Sequence, residues 1–227
     1  EDGFVIIMGT GSYVTSDDRT NTDIQSLYGI WDRLGPVLIE KTDLVKQEYT
    51  NLNDANFGVV RTLTSNEVDY SVSGNLGWYN DLRAVAAGDS QAVDPPEFPG
   101  EKAIRNIQLR GGLTFVNSVV PRIATSCTSA AGGFALAFCP GTGGLNCLGD
   151  SGIFDLNNDG LFNDDDKSAN QIVAATRFDD AVPTDSTFFG GNRVTQLSDQ
   201  SLELRGTDTS GGSNTGRLSW KRMDSVQ

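Results

Sequence analysis

The sequence predicts a mostly β protein. Short runs rich in β-branched and aromatic residues recur along its 227 positions, each bounded by Gly, Asn, Asp or Pro. No stretch keeps a helical apolar period for four turns. The 26 glycines are spread throughout and supply the turns that many short strands require.

Eight runs read as strands in chain order: GFVIIMGT from Gly3, SLYGIWDRL from Ser26, NFGVVRTLT from Asn56 and NLGWYNDL from Asn75, then LTFVNSVV from Leu113, GFALAFC from Gly133, QIVAATRF from Gln171 and RVTQLS from Arg193. DIQSLYGIWDRL has some helical spacing, but Gly29 and its aromatic residues count against a helix. The stretch from Ala86 to Ile104, with Pro95, Pro96 and Pro99, is predicted to be an exposed loop crossing between sheet units. GTDTSGGSNTG, from Gly206 to Gly216, is predicted to be a mobile surface loop. VIIMGTGSYV and FALAFCPGTGGL each run an apolar strand into a Gly-Thr-Gly turn, a hint of repeated sheet units such as propeller blades. A β-sandwich fits the same pattern. A single domain, 1–227, is expected.

The formal net charge of −13 sets the surface against nucleic acid phosphates and anionic lipid. No run approaches the ~20 apolar residues of a membrane span. There is no secretory leader, and the opening EDGFVIIMGTGSYV already reads as strand and turn, so the chain is expected to be a fragment of a longer processed protein. The absence of histidine excludes a histidine-based triad, a histidine-ligated zinc and c-type haem attachment. Cys127, Cys139 and Cys147 form no C-x-x-C pair. Cys139 and Cys147 flank the turn-forming PGTGGLN, so a bridge there is sterically easy; Cys127–Cys147 and three reduced thiols stand beside it.

The chemistry-bearing motif is GIFDLNNDGLFNDDD, Gly152 to Asp166. With Asp155 as position 1, Asn157, Asp159, Asn163 and Asp166 fall at 3, 5, 9 and 12, Gly160 at 6 and Leu161 at 7. That is the EF-hand pattern of oxygen ligands, with a backbone carbonyl from Leu161 and glycine at the sharp turn. Ca2+ accepts 6–8 oxygens and would neutralise carboxylates that otherwise repel one another. Asp166 is one methylene shorter than the usual glutamate, with Asp164 and Asp165 adding charge beside it. An acidic surface turn is the plainer alternative. SGIF before the loop reads as strand or coil, and DDKSANQIVAA after it allows only a short helix, so the expected role is structural rather than that of a sensor.

Evidence for an enzyme is thinner. The pairs Asp17–Asp18 and Asp179–Asp180 read as solvated turns rather than paired catalytic carboxylates. LRGGL and GTGG are not phosphate-cradling loops. Trp31, Trp78 and Trp220 lie in strand-like runs and are expected in a core.

Several stretches resemble the C-terminal region of the PilC/PilY family, the tip-associated adhesins and assembly factors of type IV pili. They are GTGSYVTSDDRTNTDIQSLYGIWD (Gly9–Asp32), GWYNDL (Gly77–Leu82), GEKAIRNIQLRGGLTFVNSVVP (Gly100–Pro121), GGFALAFCPGTGG, FDLNNDGLFNDDD and GRLSWKRM (Gly216–Met223), in the family's order. The resemblance implies part of a quinoprotein-like β-propeller with an inserted EF-hand-like calcium loop. It also implies a cell-surface location at the pilus tip or outer membrane, and work with minor pilins in pilus assembly, retraction control and adhesion to a host or abiotic surface. Cys139 departs from it, standing where the family usually has Asp, and Cys147 is additional. A calcium-stabilised quinone-cofactor propeller enzyme is the alternative, although such enzymes gather their ligands from several blades.

Overall fold

The structure, a computed structural model, describes residues 3–71, 74–86, 98–121, 131–149 and 151–209. It is mostly β. The first sheet orders β1 (Phe4–Gly9), β2 (Ser26–Asp32), β6 (Gly77–Asp81) and β3 (Val45–Gln47). The second runs β7 (Val85–Ala86), β4 (Tyr49–Asp54), β5 (Gly58–Leu63), β14 (Ala175–Phe178), β10 (Gly133–Phe138), β9 (Leu113–Asn117) and β8 (Gln108–Arg110). The third orders β11 (Phe154–Asp155), β17 (Leu202–Thr207), β16 (Asn192–Leu197) and β15 (Pro183–Phe189). A hairpin of β12 (Lys167–Ser168) and β13 (Gln171–Ile172) stands apart. Only β3–β6 and β4–β7 pair in parallel among the described residues, and none of these sheets closes on itself.

Each of the eight predicted runs contains a strand. The two Gly-Thr-Gly segments occupy unlike positions. β10, flanked by β14 and β9, is buried along its whole length and so reads as an unbroken apolar run. β1 is an edge strand whose Phe4, Val5, Ile6 and Met8 are exposed.

Three expectations need correction. At the end of the Ala86–Ile104 stretch, Glu101, Lys102 and Ala103 are buried rather than exposed, with Lys102 bridged to Val119 through the backbone; residues 87–97 lie outside the described residues. Gly206 and Thr207 complete β17, and Thr207 is buried, whereas Gly216 falls outside the described residues. The segment after the acidic loop keeps only a 3-10 turn, Asp164–Asp166, before the β12–β13 hairpin takes over from any longer helix. The hairpin's two turn residues, Ala169 and Asn170, have φ of +50° and +61°, the left-handed pair that a two-residue hairpin demands.

One buried apolar cluster joins the first two sheets and reaches Phe154 and Leu156 at the start of the acidic loop. Trp78 is fully buried near its centre, edge-to-face with Phe138 at 5.3 Å. The indole is sandwiched between glycines: a Cβ at Gly29 or at Gly143 would sit 2.2 Å from its ring atoms. The third sheet docks on the second through a polar seam. Buried Arg193 donates from Nε to Ser186 Oγ at 2.8 Å and from Nη2 to Asn117 Oδ1 on β9, while Phe188 packs on Phe115 at 5.0 Å.

Candidate metal centre

The acidic loop leaves the third sheet at Asp155, whose strand partner is Gly206 on β17. A Cβ at Gly206 would lie 2.8 Å from Asp155 Oδ2, so glycine there gives the carboxylate room. The chain then wraps back over it. Asp155 Oδ1 accepts from the Asp159 N–H at 3.1 Å and Oδ2 from the Gly160 N–H at 3.0 Å. The wrap needs the left-handed backbone of Gly160, at φ +80°, and of Asn158, at φ +60°. Asparagine tolerates that region and glycine is free of its strain, which is the local reason for the Asn-Asp-Gly order.

Further turns are fixed by side chains bonding the backbone two residues on. Asn157 Oδ1 accepts from Asp159 N at 3.0 Å, Asp159 Oδ1 from Leu161 N at 2.7 Å and Asn163 Oδ1 from Asp165 N at 2.7 Å. Asp166 closes the loop from within. It is 1% exposed, and its Oδ1 accepts from Leu156 N at 2.6 Å while Oδ2 accepts from Asn163 N at 3.2 Å. Lys167 pairs with the exposed Asp164 at 2.7 Å. Ser168 Oγ then donates to Asp54 Oδ2 at 2.7 Å, tying the loop's exit to the β4–β5 turn.

Asp155, Asn157, Asp159, Leu161, Asn163 and Asp166 thus lie along one loop, closed by the bonds of Asp166 to Leu156 and Asn163. Among the described residues no group of three or more Asp, Glu, Cys or His side chains is placed to hold a metal. The loop instead offers mixed donors: carboxylate, amide and carbonyl oxygens, a set that suits a hard cation and no soft one.

The other sequence candidates resolve as structural. Asp18 caps its own turn, accepting from the N–H groups of Val14 and Thr15, each at 2.8 Å. These bonds, Thr15's first, draw its carboxyl down to about 2. Asp179 pairs with Arg177 at 3.0 Å. Trp31 and Trp78 are buried, as expected; Trp220 and Cys127 lie outside the described residues. The bridge is Cys139–Cys147. Sequence reasoning missed the buried charges. Arg61 and Glu101 form an ion pair at 2.8 Å with side chains 1% and 0% exposed, and only the apolar neighbours of Arg61 in VVRTL signalled it.

Fold and loop together define a disulfide-bridged, mostly β module that carries an oxygen-rich loop at the margin of one sheet. No family model matches the chain. It is similar to two type IV pilus biogenesis factor PilY1 homologs of Xylella fastidiosa, at 29% identity over 142 residues and 28% over 222, covering 63% and 96% of the chain. It is also 24% identical over 239 residues to type IV pilus biogenesis factor PilY1 of Pseudomonas aeruginosa, covering 95% of the chain. The matched regions are only 9%, 16% and 20% of those relatives' lengths. The crystal structure of the Pseudomonas aeruginosa PilY1 C-terminal domain shares the fold, with a TM-score of 0.65 at 20% identity over 91% of this chain and 42% of that one. These relatives and this shared fold agree with the resemblance to the PilC/PilY family.

Proposed function

We propose that this chain is a non-enzymatic, calcium-stabilised part of a type IV pilus biogenesis factor, acting at the cell surface. Its relatives are named as biogenesis factors, and its adjacent-carboxylate pairs serve local turns and an ion pair rather than converging on a cleft. Two four-stranded sheets have the strand count of propeller blades, which supports a quinoprotein-like propeller completed by sequence beyond this chain. In that setting the module would present a surface to minor pilins at the pilus tip, in assembly, retraction control and adhesion.

The observation that carries the calcium reading is the wrap of the Asp159 and Gly160 amides onto the Asp155 carboxylate, at 3.1 and 3.0 Å, with Gly160 at φ +80°. Asp155, Asn157, Asp159, Asn163 and Asp166 side chains and the Leu161 carbonyl would hold the ion. Bound Ca2+ would offset two of the loop's negative charges and fix the register of β11 on β17. A ligand that binds only the folded state raises the melting temperature with its concentration, by about 2.7 kcal/mol of stability at 100 times Kd. Calorimetric melts across micromolar to millimolar Ca2+, with Mg2+ as control and Asp155→Ala/Asp159→Ala as the null variant, test this. A wild-type melting temperature unmoved at millimolar Ca2+ overturns it.

A further inference from the structure

The segment between Cys139 and Cys147 is a row of backbone acceptors. The carbonyl of Pro140 accepts from Trp78 Nε1 at 3.0 Å, that of Gly141 from the Tyr70 hydroxyl, and that of Thr142 from Gln47 Nε2 at 3.0 Å. The carbonyl of Gly143 accepts from Asn80 Nδ2 at 2.9 Å, and that of Gly144 from the Cys139 N–H at 2.8 Å. Three of the donors sit on β3 and β6, in register: Val45 is paired with Trp78 and Gln47 with Asn80. Trp78, Gln47 and Asn80 are all fully buried. Since the partners are backbone carbonyls, what β3 and β6 recognise is the path of the loop itself, and a bridge across a separation of 8 residues constrains that path.

We infer that the Cys139–Cys147 disulfide is a redox-sensitive latch holding the β3–β6 edge of the first sheet against the second. Cys139 is buried and Cys147 exposed, so an external thiolate reaches the Cys147 sulfur. Its attack forms a mixed disulfide at Cys147 and expels Cys139 as thiolate, towards whose sulfur the Cys147 N–H already donates at 2.9 Å. The second thiol of a dithiol reductant then attacks the mixed disulfide, closes its own disulfide and frees Cys147. Two electrons and two protons pass from the dithiol to the protein.

Without the bridge, the turn keeps the Cys139 N–H to Gly144 and Gly143 N–H to Cys139 bonds, both at 2.8 Å. Those hold the base of the loop and leave the Pro140–Thr142 carbonyls free to swing. The far edge of the sheet keeps independent ties, from Ala103 N–H to the Thr10 carbonyl at 3.1 Å and from Lys102 Nζ to the Asn21 carbonyl at 3.2 Å. The third sheet is held through Arg193 and Asn117, away from the latch. Opening is therefore local, and it exposes the Trp78 indole with the Gln47 amide, whose acceptors are the Pro140 and Thr142 carbonyls.

The test is hydrogen exchange by mass spectrometry on the purified chain, oxidised and after dithiothreitol, with reduction verified by thiol alkylation and ionic conditions held fixed. Exchange in peptides covering Val45–Gln47, Gly77–Leu82 and Cys139–Leu148 rises about tenfold or more on reduction, while Pro183–Thr207 is unchanged. Tryptophan emission shifts to the red, and reoxidation reverses both. Unchanged exchange in fully reduced protein overturns the latch, and so does an equal rise across all three sheets, which marks a global staple. Cys147→Ser should mimic the reduced state; because the primary measurement uses the wild-type chain, a variant that fails to fold leaves the result standing.

Discussion

Replacing Glu101 by glutamine keeps the shape of a buried side chain and removes its charge. Glu101 Oε1 accepts from Arg61 Nη1 at 3.0 Å and also from Ser118 Oγ; Oε2 lies 2.8 Å from Arg61 Nη2, an ion-pair contact. Arg61 Nε donates to Asn51 at 2.8 Å, and its guanidinium lies 3.5 Å from the centre of the Phe134 ring. A second cation, Arg177, sits 5.1 Å from that same ring. Burial lowers its pKa, partly offset by Asp179 and Glu101. In Glu101→Gln the pair of guanidiniums loses its buried counter-charge, and the new amide points N–H at N–H on one side. Breaking a buried pair from one end costs about 3–5 kcal/mol. At roughly 2–4 °C per kcal/mol for a domain of this size, the melting temperature falls by about 6–20 °C. Arg61→Met/Glu101→Leu removes both charges and should recover most of the loss, and calorimetric melts of the single and double variants complete the cycle. A Glu101→Gln protein melting within about 2 °C of wild type would refute the claim that this pair is dry and mutually dependent.

Two further perturbations probe other layers. Gly143→Ala adds a Cβ 2.2 Å from the Trp78 ring at φ +67°; left-handed strain of about 1–2 kcal/mol and overpacking of about 1–3 kcal/mol should together lower the denaturant midpoint and flatten the near-UV circular dichroism, whereas Gly141→Ala, with nothing within 4 Å, should do neither. The Asp18 carboxyl, drawn from 3.8 to about 2 by the Thr15 and Val14 amides, favours the folded state above the ordinary carboxylate range. That contribution is lost as pH falls through about 2, so Asp18→Asn should lower the melting temperature at neutral pH and flatten the acid limb of its profile between about pH 4 and pH 2, the two proteins converging at the acid end.

The strands were legible because their apolar runs are local. β10 is buried whatever its partners, and its composition says so. The longer strands that were missed, β4, β15 and β17, are rich in Asn, Asp, Thr and Glu: YTNLND, PTDSTFF and LELRGT. Their polar residues either face solvent or meet partners far away in sequence, as Ser186 meets Asn117, 69 residues earlier. No window of sequence contains that information. The same reason hid Glu101, whose partner Arg61 lies 40 residues earlier. The turns of the acidic loop were legible because its side-chain hydrogen bonds are internal, spanning at most the 10 residues from Leu156 to Asp166.

The stretches that carry the family resemblance meet in the interior. Gly29 of LYGIWD and Gly143 of PGTGG press on the two sides of the Trp78 indole of GWYNDL, and Glu101 of GEKAI neutralises the buried Arg61. A chain can keep such motifs recognisable at under 30% identity because each answers a packing demand with few alternatives: no side chain but hydrogen fits against an indole at 2.2 Å. The Cys139–Cys147 bridge joins this junction as well. In the structure the covalent link closes the base of the same carbonyl row that β3 and β6 grip. A constraint added there acts on the docking of one sheet edge, whereas the oxygen-rich loop, sited where β11 leaves β17, acts on the margin of another. The two devices bear on different sheets, so Ca2+ and reduction should shift stability additively. A melting-temperature increment from Ca2+ that differs between oxidised and reduced protein would show that the sheets transmit strain and are not independently held.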